Sequence, residues 1–174
     1  MKNLLYILPI IILFISCSDD TTNVEQDERF KTVYGMERTL EDATIAGVVG
    51  DTSKNPCSQS AKLNLITYPN PAHSGVTLSL RSKSELSFEI FIETAINGEG
   101  FIDSLNSLEI PNQLYITQHK SYFKKSIYKG EIRVGQSEIM LDLNQIDTGL
   151  YFLTYEDSEG KSDCTPLVVQ RYTR

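Results

Sequence analysis

The 174-residue chain is poor in histidine and cysteine and has a deficit of positive charge. Its two histidines, His73 and His119, stand at no recognisable zinc-ligand spacing, so no metal site is expected. The formal net charge of −7 argues against a nucleic-acid-binding surface, which would need clustered Lys and Arg. No glycine-rich loop opens a helix, and no catalytic constellation stands out. We therefore expect a protein that is not an enzyme and needs no cofactor.

The chain also lacks an apolar run of membrane-spanning length. Residues 4–15 form its longest run, which falls short of the roughly 20 residues of a span and has the proportions of a signal-peptide core. The run ends in Ile15-Ser16-Cys17, which resembles a bacterial lipoprotein signal, in which a small residue precedes a cysteine that receives acyl chains such as palmitate. The alternative is an ordinary secretory signal.

The resemblance to a lipoprotein signal implies a location in the cell. Residues 1–16 would be removed as a signal peptide, and Cys17 would become the lipidated N-terminus. Ser18 does not resemble the Asp that retains lipoproteins at the inner membrane. We therefore expect attachment to the outer membrane through lipid on Cys17, at the periplasmic face or on the cell surface.

Residues 17–60 are polar and rich in turn formers, and they lack sustained periodicity. We expect them to be a flexible tether, although residues 45–49 are apolar enough for one edge strand. Once Cys17 is assigned to lipid, Cys57 and Cys164 are the only remaining pair. A disulfide between them is expected in an exported compartment, with two free thiols as the main alternative and a metal site as a remote one.

Residues 61–174 are predicted to form an all-β domain. Phe88, Ile90 and Ile92 alternate with Glu89 and Phe91, which is the period of a strand with one buried face. Residues 139–155 predict a strand, a turn and a second strand, which we interpret as a β-hairpin. Such strands recur without a strong helical period and favour an immunoglobulin-like antiparallel β-sandwich.

A second resemblance covers roughly the last 110 residues. Tyr68-Pro69-Asn70-Pro71 and the later Gly149-Leu150-Tyr151-Phe152 resemble elements of the C-terminal sorting domain of type IX secretion substrates. That family implies a β-sandwich that directs cargo across the outer membrane and is often cleaved off there. Because only a short segment separates Cys17 from Ala61, we interpret the sandwich as the product itself. A sorting signal, cleaved between residues 61 and 68, is the alternative.

One cluster of basic and aromatic residues stands out in this acidic chain. It is a candidate binding patch for an anionic glycan, lipopolysaccharide or a protein partner in the cell envelope. The alternative is a solvated hairpin, and His119 is expected to be exposed. The residues of the patch are Tyr115, His119, Lys120, Tyr122, Lys124 and Lys125.

Overall fold

The protein is described by a computed structural model that covers residues 28–57, 63–107 and 118–171. Strands account for most of these residues, with one short α-helix and one turn of 3-10 helix (Thr52–Lys54). The elements are β1 (Lys31–Val33), β2 (Gly35–Thr39), β3 (Ile45–Gly50), β4 (Leu63–Tyr68), β5 (Gly75–Ser82), β6 (Leu86–Asn97), α1 (Phe101–Asn106), β7 (Lys124–Ile132), β8 (Gly135–Asp142), β9 (Gly149–Asp157) and β10 (Ser162–Val169).

Two antiparallel sheets form the sandwich. One has the order β4-β5-β8, and the other has the order β7-β6-β9-β10. In immunoglobulin nomenclature these orders correspond to strands A-B-E and C′-C-F-G. The prediction of an all-β sandwich is therefore confirmed.

The inner core lies between these two sheets, and the alternating strands supply it. Phe88, Ile90 and Ile92 of β6 are all buried, as their two-residue period predicts. Leu78 and Leu80 face them from β5. On β8 the alternation is visible in exposure, because Leu141 is buried whereas Met140 is 81% exposed.

The predicted hairpin at residues 139–155 is wrong. Both strands exist, but β8 pairs with β5 and β9 pairs with β6 and β10, so they belong to different sheets. The reason is that both apolar faces point into the same core from opposite sides, and the intervening turn carries the chain from one sheet to the other. Residues 157–160 form the hairpin loop between β9 and β10.

The tether assigned to residues 17–60 is wrong for residues 31–57, whereas the edge strand expected within it at residues 45–49 is present as β3. β1 runs parallel to β6 along Ala95 to Asn97, and β2 and β3 pair with each other. Val33, Met36 and Val49 are buried, which a solvated tether would not allow. Residues 17–27 and 58–60 lie outside the described residues.

These N-terminal strands form an outer layer with α1. The outer layer covers the face of the β6-β9-β10 sheet that points away from β5. Phe101 and Leu105 of α1 contribute to the same outer core, and the sheet contributes Ala95, Leu150, Phe152 and Val168. Strand β9 is therefore buried on both faces, with Tyr151 and Leu153 pointing into the inner core. A strand buried on both faces needs a nearly continuous apolar sequence, as β9 has.

Candidate functional site

The structure brings together the two cysteines that the sequence pairs. Cys57 and Cys164 form a disulfide with their Cα atoms 4.9 Å apart, within the range that a bridge requires. Cys57 follows the 3-10 helix, and Cys164 lies on β10. The bond therefore fastens the outer layer to the sheet that it covers. Cys17, the predicted lipidation site, lies outside the described residues.

The residues of the predicted binding patch lie on different sides of the β7-β6-β9-β10 sheet. Tyr115 lies outside the described residues. His119 was expected to be exposed, and that expectation is wrong, because its ring is partly buried 4.6 Å from the ring of Tyr151. Burial lowers the pKa of His119, although a backbone hydrogen bond at Leu150 and the charge of Asp147 oppose this effect.

Tyr122 points to the other side of the sheet, where it helps to bind a buried carboxylate. Its hydroxyl donates to Oε2 of Glu93 at 3.0 Å. Oε1 of Glu93 accepts hydrogen bonds from the ammonium group of Lys31 and from the hydroxyl of Thr154. Both oxygens of a carboxylate that is only 2% exposed are thereby satisfied.

The electrostatics of Glu93 follow from this set of donors. Burial pushes its pKa upward, but the hydrogen bonds from Lys31 and Thr154, the charge of Lys31 and the bond from Tyr122 together hold it below its ordinary value. Glu93 is therefore a buried anion that is paired with a cation of the outer layer. Sequence analysis missed it, although a Glu in the apolar strand β6 is the signal that could have revealed it.

The basic residues of the patch differ in how they are neutralised. Lys124 pairs with Glu156, and its ammonium group also lies 4.3 Å from the centre of the Phe91 ring. Lys120 and Lys125 are exposed, and no ion pair joins them to another residue in the described part of the chain. Only these two lysines of the predicted patch present free charge.

The Tyr-Pro-Asn-Pro element connects three parts of the fold. Asn70 is buried, and its backbone exchanges two hydrogen bonds with Thr39 of the outer layer, each 3.1 Å long. Its side chain donates to the carbonyl of Pro166 at 2.9 Å and accepts from the amide of Val168 at 3.0 Å. This motif is therefore a structural clamp between β2 and β10.

The Gly-Leu-Tyr-Phe element also has a structural role. The hydroxyl of Tyr151 donates to the carbonyl of Asp147 at 2.8 Å, four residues upstream at the turn that leads into β9. This is the arrangement of the tyrosine corner at the E–F turn of immunoglobulin-like sandwiches. The guanidinium of Arg171 stabilises the same end of the sandwich, because it donates hydrogen bonds to the carbonyls of His73, Leu143 and Ile146.

The described residues also form a groove on the surface of the outer layer. It has a volume of about 410 Å³ and lies between the 3-10 helix and the start of α1, with Tyr34, Asp51, Lys54 and Glu99 among its lining. Residues 28–57, 63–107 and 118–171 hold no cluster of three or more metal-ligating side chains. Within the same ranges, no helix has the length and apolarity needed to cross a bilayer.

The chain matches no protein-family model, and it matches no curated protein sequence.

Proposed function

We propose that this protein is a lipid-anchored, non-enzymatic β-sandwich of the cell envelope that acts as an interaction or structural module. The observation that carries the proposal is the order of features along the chain. A sequence that resembles a lipoprotein signal ends at Cys17, and a domain with a disulfide between Cys57 and Cys164 follows it. Persistent disulfides are typical of exported compartments, which is where the signal would send the chain.

The placement of the titratable side chains supports a non-enzymatic role. Both carboxylate oxygens of Glu93 accept hydrogen bonds from other residues of the domain, so this buried anion is engaged within the fold. One carboxylate oxygen of Asp157 accepts from the amides of Glu159 and Lys161, which holds the β9–β10 turn. These groups satisfy backbone and side-chain donors rather than converging on a common cleft.

The experiment that tests the anchor is acylation of Cys17. We expect the chain to incorporate labelled palmitate and to accumulate as an uncleaved precursor when the lipoprotein signal peptidase is inhibited with globomycin. Cys17→Ala is the matched control, since it keeps the apolar run but removes the acceptor sulfur. Membrane attachment and gel mobility that are unchanged in Cys17→Ala would contradict the proposal.

The alternative is a type IX secretion substrate whose sandwich is a sorting signal. It expects cleavage between residues 61 and 68, a stretch that the disulfide and the outer core both bridge. After such a cut the two fragments would stay linked until the disulfide is reduced. Mature protein from cells that carries an N-terminus in this stretch, and that separates into two pieces only on reducing gels, would favour the alternative.

A further inference from the structure

Strand β3 has one edge that pairs with no other strand in the described part of the chain. Its other edge pairs with β2, and the two strands form a two-stranded ribbon of the outer layer. Helix α1 approaches β3 at Val49 and Gly50, through the outer core and the groove. Residues 45–48 are all exposed, so the free edge along them is open to another strand.

Two large apolar side chains of β3 lie on the same exposed face of the ribbon. Val48 lies opposite Glu37 of β2. Ile45 lies opposite Thr39, which is two positions further along β2 and therefore on the same face as Glu37. Val48 is 57% exposed and Ile45 is 55% exposed, whereas Val49 points the other way and is buried in the outer core. The free edge strand therefore presents an apolar stripe to solvent.

Residues 43–50 lack the features that usually protect a free strand edge. The stretch contains no charged residue and no proline. Proteins commonly protect free edges with charged side chains, with proline or with a covering element, because an exposed apolar edge pairs readily with another chain. The edge of β3 is therefore suited to accept a strand.

The four edge strands of the two sandwich sheets differ from β3 in this respect. Strands β7 and β8 carry charged side chains, and β10 contains Pro166 and the disulfide. On β4, the carbonyls of Leu63 and Thr67 accept hydrogen bonds from the hydroxyls of Tyr155 and Thr39. The contrast singles out β3 as the edge at which a partner can add.

The charges around the free edge indicate the chemistry of such a partner. Glu41 and Asp42 lie in the turn that precedes β3, and Glu37 is exposed on β2. Arg38 is the only base of the ribbon, and Lys54, the next base along the chain, is paired with an aspartate. A second copy of the chain would bring the same excess of acids to the edge, whereas a basic segment would be attracted to it.

We propose that β3 is a docking strand that binds an extended, basic segment of a partner protein by strand addition. The partner's backbone pairs with the free edge, its apolar side chains lie beside Ile45 and Val48, and its lysines or arginines lie near the acids of the ribbon. This inference rests on the interaction role proposed above, but it does not require lipid on Cys17.

The test measures binding of the synthetic peptide Lys-Lys-Val-Thr-Ile-Thr-Val-Lys-Lys to the full-length chain in detergent. The control peptide has the same central residues and glutamate in place of every lysine. We expect the basic peptide to bind about tenfold more tightly than the control. It should also slow hydrogen exchange at residues 45–48 and leave the exchange of β8 unchanged. Failure of the basic peptide to bind, or protection that lies outside β3, would overturn the proposal.

A substitution on β3 separates strand addition from simple charge attraction. Val48→Glu adds an acid, so charge attraction alone would tighten binding of the basic peptide. Strand addition predicts a loss of about fivefold instead, because the change removes an apolar cross-strand contact and places a charge on the edge. Val134→Glu is the matched control at another exposed valine, 70% exposed, and should not weaken binding. Equal or tighter binding by Val48→Glu contradicts strand addition.

The oligomeric state of the chain tests a second copy as the occupant. We expect the unaltered chain to sediment as a monomer, and a dimer that Val48→Glu dissociates would overturn the proposal. Lipid on Cys17 is measured in the same preparation. A lipidated chain that does not bind the basic peptide contradicts the docking strand alone, and a chain that binds the peptide but carries no lipid contradicts the anchor alone.

Discussion

The two faces of the β6-β9-β10 sheet are covered in different ways. The inner face packs against β4, β5 and β8, whose buried side chains alternate along strands of six to eight residues. The outer face packs against three short strands and a six-residue helix. Short elements bury little apolar area each, and the outer layer is held in addition by a disulfide, the Lys31–Glu93 pair and the Asn70 clamp. Buried apolar area stabilises the inner core, whereas the outer core depends in addition on the disulfide, the ion pair and the hydrogen bonds of Asn70.

The largest expected effect comes from breaking the covalent link of the outer layer. Replacing both Cys57 and Cys164 with Ser should lower the free energy of unfolding by about 4–5 kcal/mol, because the bond closes a loop of 107 residues. Chemical denaturation measures the loss, and membrane attachment should not change. Reduction of the unaltered protein is the control and should have the same effect. A loss of well under 1 kcal/mol would show that the outer layer needs no covalent link.

Truncating one buried side chain on each face of the β6-β9-β10 sheet distinguishes the inner core from the outer one. Ile90 and Met36 are both fully buried, Ile90 in the inner core and Met36 in the outer one. Each change to Ala should cost roughly 2–5 kcal/mol, since each leaves a cavity. We expect Ile90→Ala to lower the protection of all the strands against hydrogen exchange, and Met36→Ala to lower it mainly in β1–β3. Identical exchange patterns in the two variants would mean that both faces unfold as one unit.

The ion pair of the outer layer makes stability depend on pH. Glu93→Gln should cost roughly 2–3 kcal/mol at neutral pH, below the 3–5 typical of fully buried pairs, because Lys31 is partly exposed. The pKa of Glu93 is lower in the folded than in the unfolded chain, so its contribution is complete above the ordinary value of 4.5 and disappears as the pH falls through the folded pKa. Stability curves of the two proteins should therefore converge in acid, and parallel curves would contradict this role for Glu93.

The smallest effect belongs to the tyrosine corner on the inner side. Tyr151→Phe removes the hydrogen bond to the carbonyl of Asp147 and keeps the ring in the core, so it should cost about 1 kcal/mol. Tyr155→Phe is a matched control, since its hydroxyl bonds the carbonyl of Leu63 at a longer 3.2 Å. A change in unfolding midpoint larger for Tyr155→Phe than for Tyr151→Phe would argue against a special role for the corner.

Sequence patterns predicted the strands around the inner core because the alternation of apolar and polar residues can be read within each strand. The two-residue period of β6 identifies a strand and its buried face without knowledge of the partner. The run from Leu150 to Tyr155 has too few polar positions for a strand with one solvated face. It therefore indicated that a second layer covers the other face of this strand. We interpreted it only as one strand of a hairpin.

The outer layer was harder to predict because its stabilising contacts are distant along the chain. β1 has three residues and depends on parallel pairing with β6 more than 60 positions away. The apolar run at residues 45–49 predicted a strand at β3, but its glycines leave no two-residue period that would identify the buried face. The predicted binding patch failed to form one surface for a related reason. Tyr122 and Phe123 are adjacent in sequence, yet Tyr122 bonds Glu93 while Phe123 packs towards Tyr151.

Residues 31–57 form a structural layer and not a tether. Hydrogen exchange of the oxidised protein, resolved by peptide, distinguishes the two. We expect the backbone amides of β2 and β3 to exchange far more slowly than those of an unstructured chain and to lose this protection when the disulfide is reduced. Exchange at the unprotected rate across residues 31–50 in the oxidised protein would contradict the claim.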